Sequence, residues 1–196
     1  MAQTSTTLIS ARSHITSISG TDISLSATAG VYTISATSTV LTGAGKLAVG
    51  DLITVSGSAS NNSTFTVSTV VSTTELTVAE VVTSENADGS STITLDHVGF
   101  VSDKSKGDGY YSQPDGVHTV AYQVANDFNA NATIKMQGTL ATTPTEDDWF
   151  DIANTTFTAD TSTVTSSYNF TGNYVWVRSK TQLLTAGTVN SILLNS

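Results

Sequence analysis

The chain contains no cysteine, which excludes disulfides, thiolate nucleophiles and Cys-ligated zinc. Positive charge is scarce: Lys and Arg number 7 against 16 Asp and Glu, for a formal net charge of −9. The seven form no basic run, which argues against recognition of DNA or RNA through phosphates. There are only 2 prolines, and no segment shows the spacing of a long amphipathic helix. No apolar run is long enough to cross a bilayer. The opening residues, MAQTSTTLISARSHITSISG, lack a basic stretch followed by a continuous apolar one, so no secretory signal is expected.

Ser and Thr, by contrast, fill about a third of the chain, and Thr, Val and Ile dominate its patterned segments. That is the preference of pleated, half-buried surfaces. Glycines and asparagines recur at short intervals, as the turns of a many-stranded protein require. A length of 196 residues allows one large β domain or two small ones. The expected class is all-β.

Residues 1–24 read as a polar N-terminal arm in which Leu8, Ile9, Ile15 and Ile18 are isolated apolar points. Two readings stay open: a first strand with a frayed end, or an arm whose four apolar residues dock on a neighbouring subunit. Residues 25–96 alternate with period two through GVYTISA, DLITVSG, TFTVSTVV and TELTV, and ENADGSSTITL carries a hairpin signal at Asp88–Gly89. Short strands a turn apart predict a small β-barrel-like domain. Residues 97–116, polar and glycine-rich, read as a linker or long exposed loop. Residues 117–196 hold longer alternating segments, from VHTVAYQVA to TVNSILLN, which predict an antiparallel β-sandwich or jelly-roll-like domain.

Reactive constellations are hard to find. TTPTEDDWFDI gathers Glu146, Asp147, Asp148 and Asp151, but without the alternating ligands and central glycine of a calcium loop. Adjacent acids on a strand point to opposite faces, so the cluster cannot by itself supply the facing carboxylates of a glycosidase. The expected reading is a solvated turn at a strand entrance. GDGYYSQPDG has an acid–glycine rhythm that suits either calcium or, more commonly, ordinary turns. His14, His97 and His118 have no partner at metal-binding spacing, and GxSxG, GxxxxGK and HExxH are absent. No catalytic, metal or cofactor-binding residue is assigned, and no enzyme activity is expected. Tyr110, Tyr111, Trp149 and Trp176 are candidates for a sugar-stacking surface, with core packing as the alternative for both tryptophans.

The stretch AVGDLITVSGSASNNSTFTVSTV followed by TELTV resembles a small β module of structural proteins in tailed bacteriophages, the GD-x-I-x-V-SGS-x-x-N-N opening being matched from Gly50 to Asn62. IKMQGTLATTPTEDDWFDI, YNFTGNYVWVRSK and TAGTVNSILLN resemble the C-terminal β domain of virion proteins from marine tailed phages, those of cyanobacteria included. The resemblance covers most of residues 25–196 at the level of pattern and carries no catalytic residue. It implies a virion component made in a host cytoplasm, partnered by other virion proteins and by itself as a homo-oligomer, a trimer for instance, with no nucleic acid or membrane. The expected role is structural, docking on capsid or tail. The alternative is a carbohydrate- or receptor-binding module of a tail fibre or baseplate.

Overall fold

Residues of period-two alternation become strands throughout the computed structural model, which describes residues 5–111, 116–158 and 164–195. Among the described residues these are joined by turns and two single 3-10 turns, and the strand pairs within each unit are antiparallel. The protein is therefore all-β. It divides into two units, Ile15–Phe100 and the described parts of Met1–His14 and Val101–Ser196.

In chain order the strands are β1 (Ser5–Ile9) and β2 (Arg12–Ser13), then β3 (Ile18–Gly20), β4 (Ile23–Thr28), β5 (Val31–Ala36), β6 (Asp51–Ser56), β7 (Thr64–Ser72), β8 (Glu75–Val78) and β9 (Ile93–Val101). They continue with β10 (Ser105–Lys106), β11 (Val117–Val124), β12 (Thr133–Thr139), β13 (Phe150–Asp151), β14 (Phe157–Thr158), β15 (Thr165–Thr171), β16 (Trp176–Gln182) and β17 (Thr188–Asn195).

In the unit of residues 15–100 the strands run in the order β9-β6-β7-β8-β5-β4, with β3 on β9. Alternate residues point inward, so Leu25, Ile34, Ile53, Phe65, Leu76 and Leu95 form one buried cluster, the expected outcome of a period-two pattern with one apolar face. The path is open and not a closed barrel. Its ends, β3 and β4, are consecutive in the chain but separated by a break at Thr21–Asp22. There the Asp22 carboxylate leaves the strand to accept hydrogen bonds from the Thr39 hydroxyl and from the amides of Ser38 (2.7 Å) and Thr39 (2.9 Å).

A second carboxylate organises the opposite loop. Glu85 accepts from the Ser58 hydroxyl at 2.5 Å and the Ala59 amide at 2.9 Å. Asn61 is buried and exchanges two hydrogen bonds with the backbone of Thr83, at 3.0 and 2.7 Å. The SGSASNN stretch is thus a stapled loop. At Gly57 (φ 79°) a Cβ would stand 2.1 Å from the Thr92 carbonyl oxygen, so only glycine fits.

The other unit contains two antiparallel sheets. One runs β1-β17-β11-β15, with β2 on β17; the other contains β13-β12-β16, with β14 on β12 and β10 on β16. Val120, Tyr122, Ile134, Met136, Val177, Ile192 and Leu194 are buried. The Tyr122 ring lies 6.0 Å from Phe157, and its hydroxyl donates to the Thr155 carbonyl at 2.9 Å. Burial pushes the Tyr122 phenol well above its usual range, while the Thr155 bond works the other way.

Of the two readings open for the N-terminus, the first apolar points follow the strand and do not stand apart as an arm: β1 pairs with β17 of its own chain, Thr6 opposite Leu194 and Ile9 opposite Ile192. Ile9 and Ile18 are buried, Leu8 and Ile15 half-buried, and Ile15 packs against the cluster of its own unit. The backbone groups of β1 that face β17 are satisfied within the chain, and those of its other side form the edge of the sheet. Nor does residue 97 open a linker, since β9 runs through His97 and the division falls at Phe100–Val101. Residues 105–111 belong to the second unit as β10 and a 3-10 turn over Asp108–Tyr111. Residues 1–4 of the expected arm and 112–115 of the expected loop lie outside the described residues.

Candidate ligand-binding face

β10, β16 and β12 lie side by side, and their register fixes which side chains share a face. Lys106 stands opposite Trp176. Trp176, Arg178 and Lys180 in turn stand opposite Thr139, Gln137 and Lys135. Residues directly opposite in an antiparallel pair share a face, as do residues two apart. Lys106, Trp176, Arg178, Lys180 and Lys135 therefore occupy one face, and Lys104, just before β10, reaches it over the Trp176 ring. The face holds five of the seven basic residues of the chain.

The aromatic side chains arrive from flanking turns. Gly107 and Gly109 donate backbone hydrogen bonds to Val175 (3.0 Å) and Tyr174 (2.8 Å). A Cβ at either glycine would collide with backbone oxygens of residues 173–174, which explains the glycines of KGDGYY. The pinned turn sets Tyr110 4.8 Å from Trp176 and 5.2 Å from Tyr111. Lys104 Nζ lies 4.6 Å from the Trp176 ring centroid, and Lys106 Nζ 4.2 Å from that of Tyr110. Such contacts are worth about 0.5–1 kcal/mol each at exposed sites, so the ammonium groups are held in place but easily displaced. Tyr110 and Tyr111 remain 43% and 56% exposed.

Further along β16, the Trp149 ring covers the Arg178 guanidinium at 4.2 Å. Glu146 grips the same guanidinium with both oxygens, at 2.9 and 2.7 Å, and Arg178 Nε donates to Gln137 at 3.0 Å. Asp151 accepts from Lys135 at 2.5 Å and Gln137 at 3.0 Å. Asp148 instead caps its own 3-10 turn, accepting from the Thr145 amide (2.7 Å) and hydroxyl (2.8 Å), which holds its carboxyl below the usual range. Glu146, Asp148 and Asp151 of TEDDWFDI are thus each held by a different set of partners.

Lys180 has no ion pair with a described carboxylate. Desolvation, followed by the nearby charges of Arg178 and Lys135, pushes its ammonium pKa down, against the pull of Asp151 and Glu146. Like charges directly opposite on neighbouring strands are destabilising, and Lys135 and Lys180 stand so.

All four aromatic residues singled out in the sequence converge here: Tyr110 touches both Tyr111 and Trp176, and Trp149 reaches the face through Arg178. Sequence reasoning missed the basic residues. Their signal was present as period-two pairs, Lys104/Lys106 and Arg178/Lys180, in a chain with few bases.

Two histidines acquire distant carboxylate neighbours. His97 Nε2 is 3.1 Å from Asp51. His118 Nε2 lies 3.4 Å from Asp108, outside hydrogen-bond geometry, and stacks on Phe170 at 5.0 Å. Among the described residues no three of His, Asp and Glu gather as a metal site. No family model matches the chain, and no curated protein matches it.

Proposed function

We propose that the protein is a non-enzymatic structural component of a tailed-phage particle, docking as a symmetric oligomer on capsid or tail. The fold that goes with this reading is a small barrel-like unit followed by a sandwich of jelly-roll type. The observation that carries it is that, among the described residues, β1 and β15 each pair on one side only in the sheet β1-β17-β11-β15. β1 (STTLI) and β15 (TSSYNFT) contain no charged residue and no proline. Edges are ordinarily blunted by charge, proline or cover. Uncharged ones suit pairing with another copy, and closed symmetric oligomers are the usual result. Light scattering on the purified chain tests the self-association, with a single mass at a small multiple of the protomer as the expected result. Quantitative mass spectrometry of purified particles tests the setting: hundreds of copies mean shell, a dozen or fewer mean tail or neck, and absence from particles overturns it.

A second reading, a carbohydrate-binding module of a fibre or baseplate, is favoured by the convergence of Tyr110, Tyr111 and Trp176 on one partly exposed face. A glycan array tests it, and a specific hit on the intact protein is the expected result.

A further inference from the structure

Why does a chain of net charge −9 place five of its seven basic residues on one sheet face? Arg178 and Lys135 are neutralised there by Glu146 and Asp151. Lys104, Lys106 and Lys180 make no ion pair with a described carboxylate. These three cations flank Trp176 and Tyr110, and the distance from Trp176 to Lys180 is ~13 Å along an extended strand. The face thus alternates flat rings with separated positive charges over the length of a short oligosaccharide.

We infer that this face binds an acidic polysaccharide, its sugar rings lying on Tyr110, Tyr111 and Trp176 and its carboxylates on Lys104, Lys106 and Lys180. The inference rests on the carbohydrate reading of the same face and adds the charge of the ligand. Lys104 and Lys106 lie over the ring faces, so a sugar stacking there displaces two weakly held ammonium groups, which then stand beside it to meet its carboxylates. Gln137, Asp151 and Glu146 on the same face are engaged with Arg178, Lys135 and one another, so the polar contacts left to a ligand are those of the three lysines. The carboxylates of Asp151 and Glu146, and the acidity of the whole chain, disfavour the densely charged backbone of a nucleic acid.

The test is affinity electrophoresis of the full chain at 150 mM NaCl through gels containing alginate, polygalacturonate or hyaluronate, beside neutral dextran and a panel of neutral glycans, with oligo(dT) titrated separately. Retardation by at least one polyuronate is expected. The exposed double variant K104Q/K106Q should weaken it at least tenfold, and Tyr110→Ala should weaken it several-fold. Lys46→Gln, which removes a base from the other unit, should leave it unchanged. Melting curves that match the parent establish that the variants fold. Silence toward every acidic polysaccharide, undiminished binding by K104Q/K106Q, or tighter binding to oligo(dT) overturns the inference. Neutral glycans held as well as acidic ones would overturn the charge assignment while leaving the carbohydrate reading intact. Silence toward acidic and neutral sugars alike would remove both.

Discussion

His97 Nε2 lies 3.1 Å from Asp51 Oδ1, with both side chains buried. His97 Nδ1 accepts the Ile15 amide at 3.3 Å, so the ring hydrogen resides on Nε2 and is donated to Asp51. The other Asp51 oxygen accepts the Ala48 amide at 2.7 Å. One carboxylate therefore ties the turn before β6 to β9, and the imidazole extends the tie to Ile15. Asp51→Ala leaves an imidazole N–H and an amide N–H buried without this acceptor, at a cost of about 3 kcal/mol. Asp51→Asn keeps an oxygen acceptor and should lose less. Urea unfolding at pH 7 measures both, and a loss below about 0.5 kcal/mol for the alanine variant, the level of a neutral surface change, would show the pair to be dispensable.

Acid should weaken the unit of residues 15–100 through its loop-stapling carboxylates. Glu85 is held below the usual range first by the Ser58 hydroxyl and then by the Ala59 amide. Asp22 is held there by the Thr39 hydroxyl and then the Thr39 and Ser38 amides, and Asp88 by the Ser91 hydroxyl and then the Ser91 and Ser90 amides. A carboxyl whose folded pKa lies below its unfolded one stabilises the fold above the unfolded value, about pH 4. That contribution is lost as pH falls through the folded values. The urea midpoint should thus hold steady from pH 7 to 5 and decline below about pH 4. Glu85→Gln should be less stable than the parent at pH 7 and should show a shallower decline between pH 5 and 3. An unchanged slope would mean that Glu85 does not contribute to it.

The ladders were legible in the sequence because one buried face imposes a period of two, and β6, β7 and β8 fall on the alternating segments DLITVS, TFTVSTVVS and ELTV. What joins distant segments was not. Asp51 and His97 are 46 residues apart, and nothing in local pattern links them. The polar run after His97 looks like a linker because β10 has only two residues and its neighbouring glycines are fixed by backbone contacts rather than by apolar burial. The four aromatic candidates could be named from residue type alone. Their meeting with the lysines required the register that sets Lys106 opposite Trp176.

The β4–β5 hairpin turns through Ala29 (φ 51°) and Gly30 (φ 80°). Two central residues with positive φ define the tight turn whose twist matches the flanking strands, and Asn-Gly is its preferred sequence. Alanine there bears the steric cost of the left-handed region, which asparagine tolerates better. Ala29 is exposed, so Ala29→Asn should raise stability by about 0.5–1 kcal/mol without altering any packing contact. A lower melting temperature would contradict the turn assignment.

Among the described residues β15 pairs only with β11, and Ser167 stands opposite Ala121 with its side chain exposed. Its neighbours on the same side, Thr165 and Asn169, are also exposed and uncharged. A lysine in the middle of such an edge adds a charge that a second, identical strand would have to meet at close range. Ser167→Lys should therefore lower the oligomer mass seen by light scattering toward that of one protomer. Its unfolding free energy under dissociating conditions should remain within about 0.5 kcal/mol of the parent, as for other exposed substitutions. If the parent self-associates and Ser167→Lys does so with equal affinity, β15 is not the contact, and the same substitution at Thr6 on the opposite edge strand, β1, would identify the alternative.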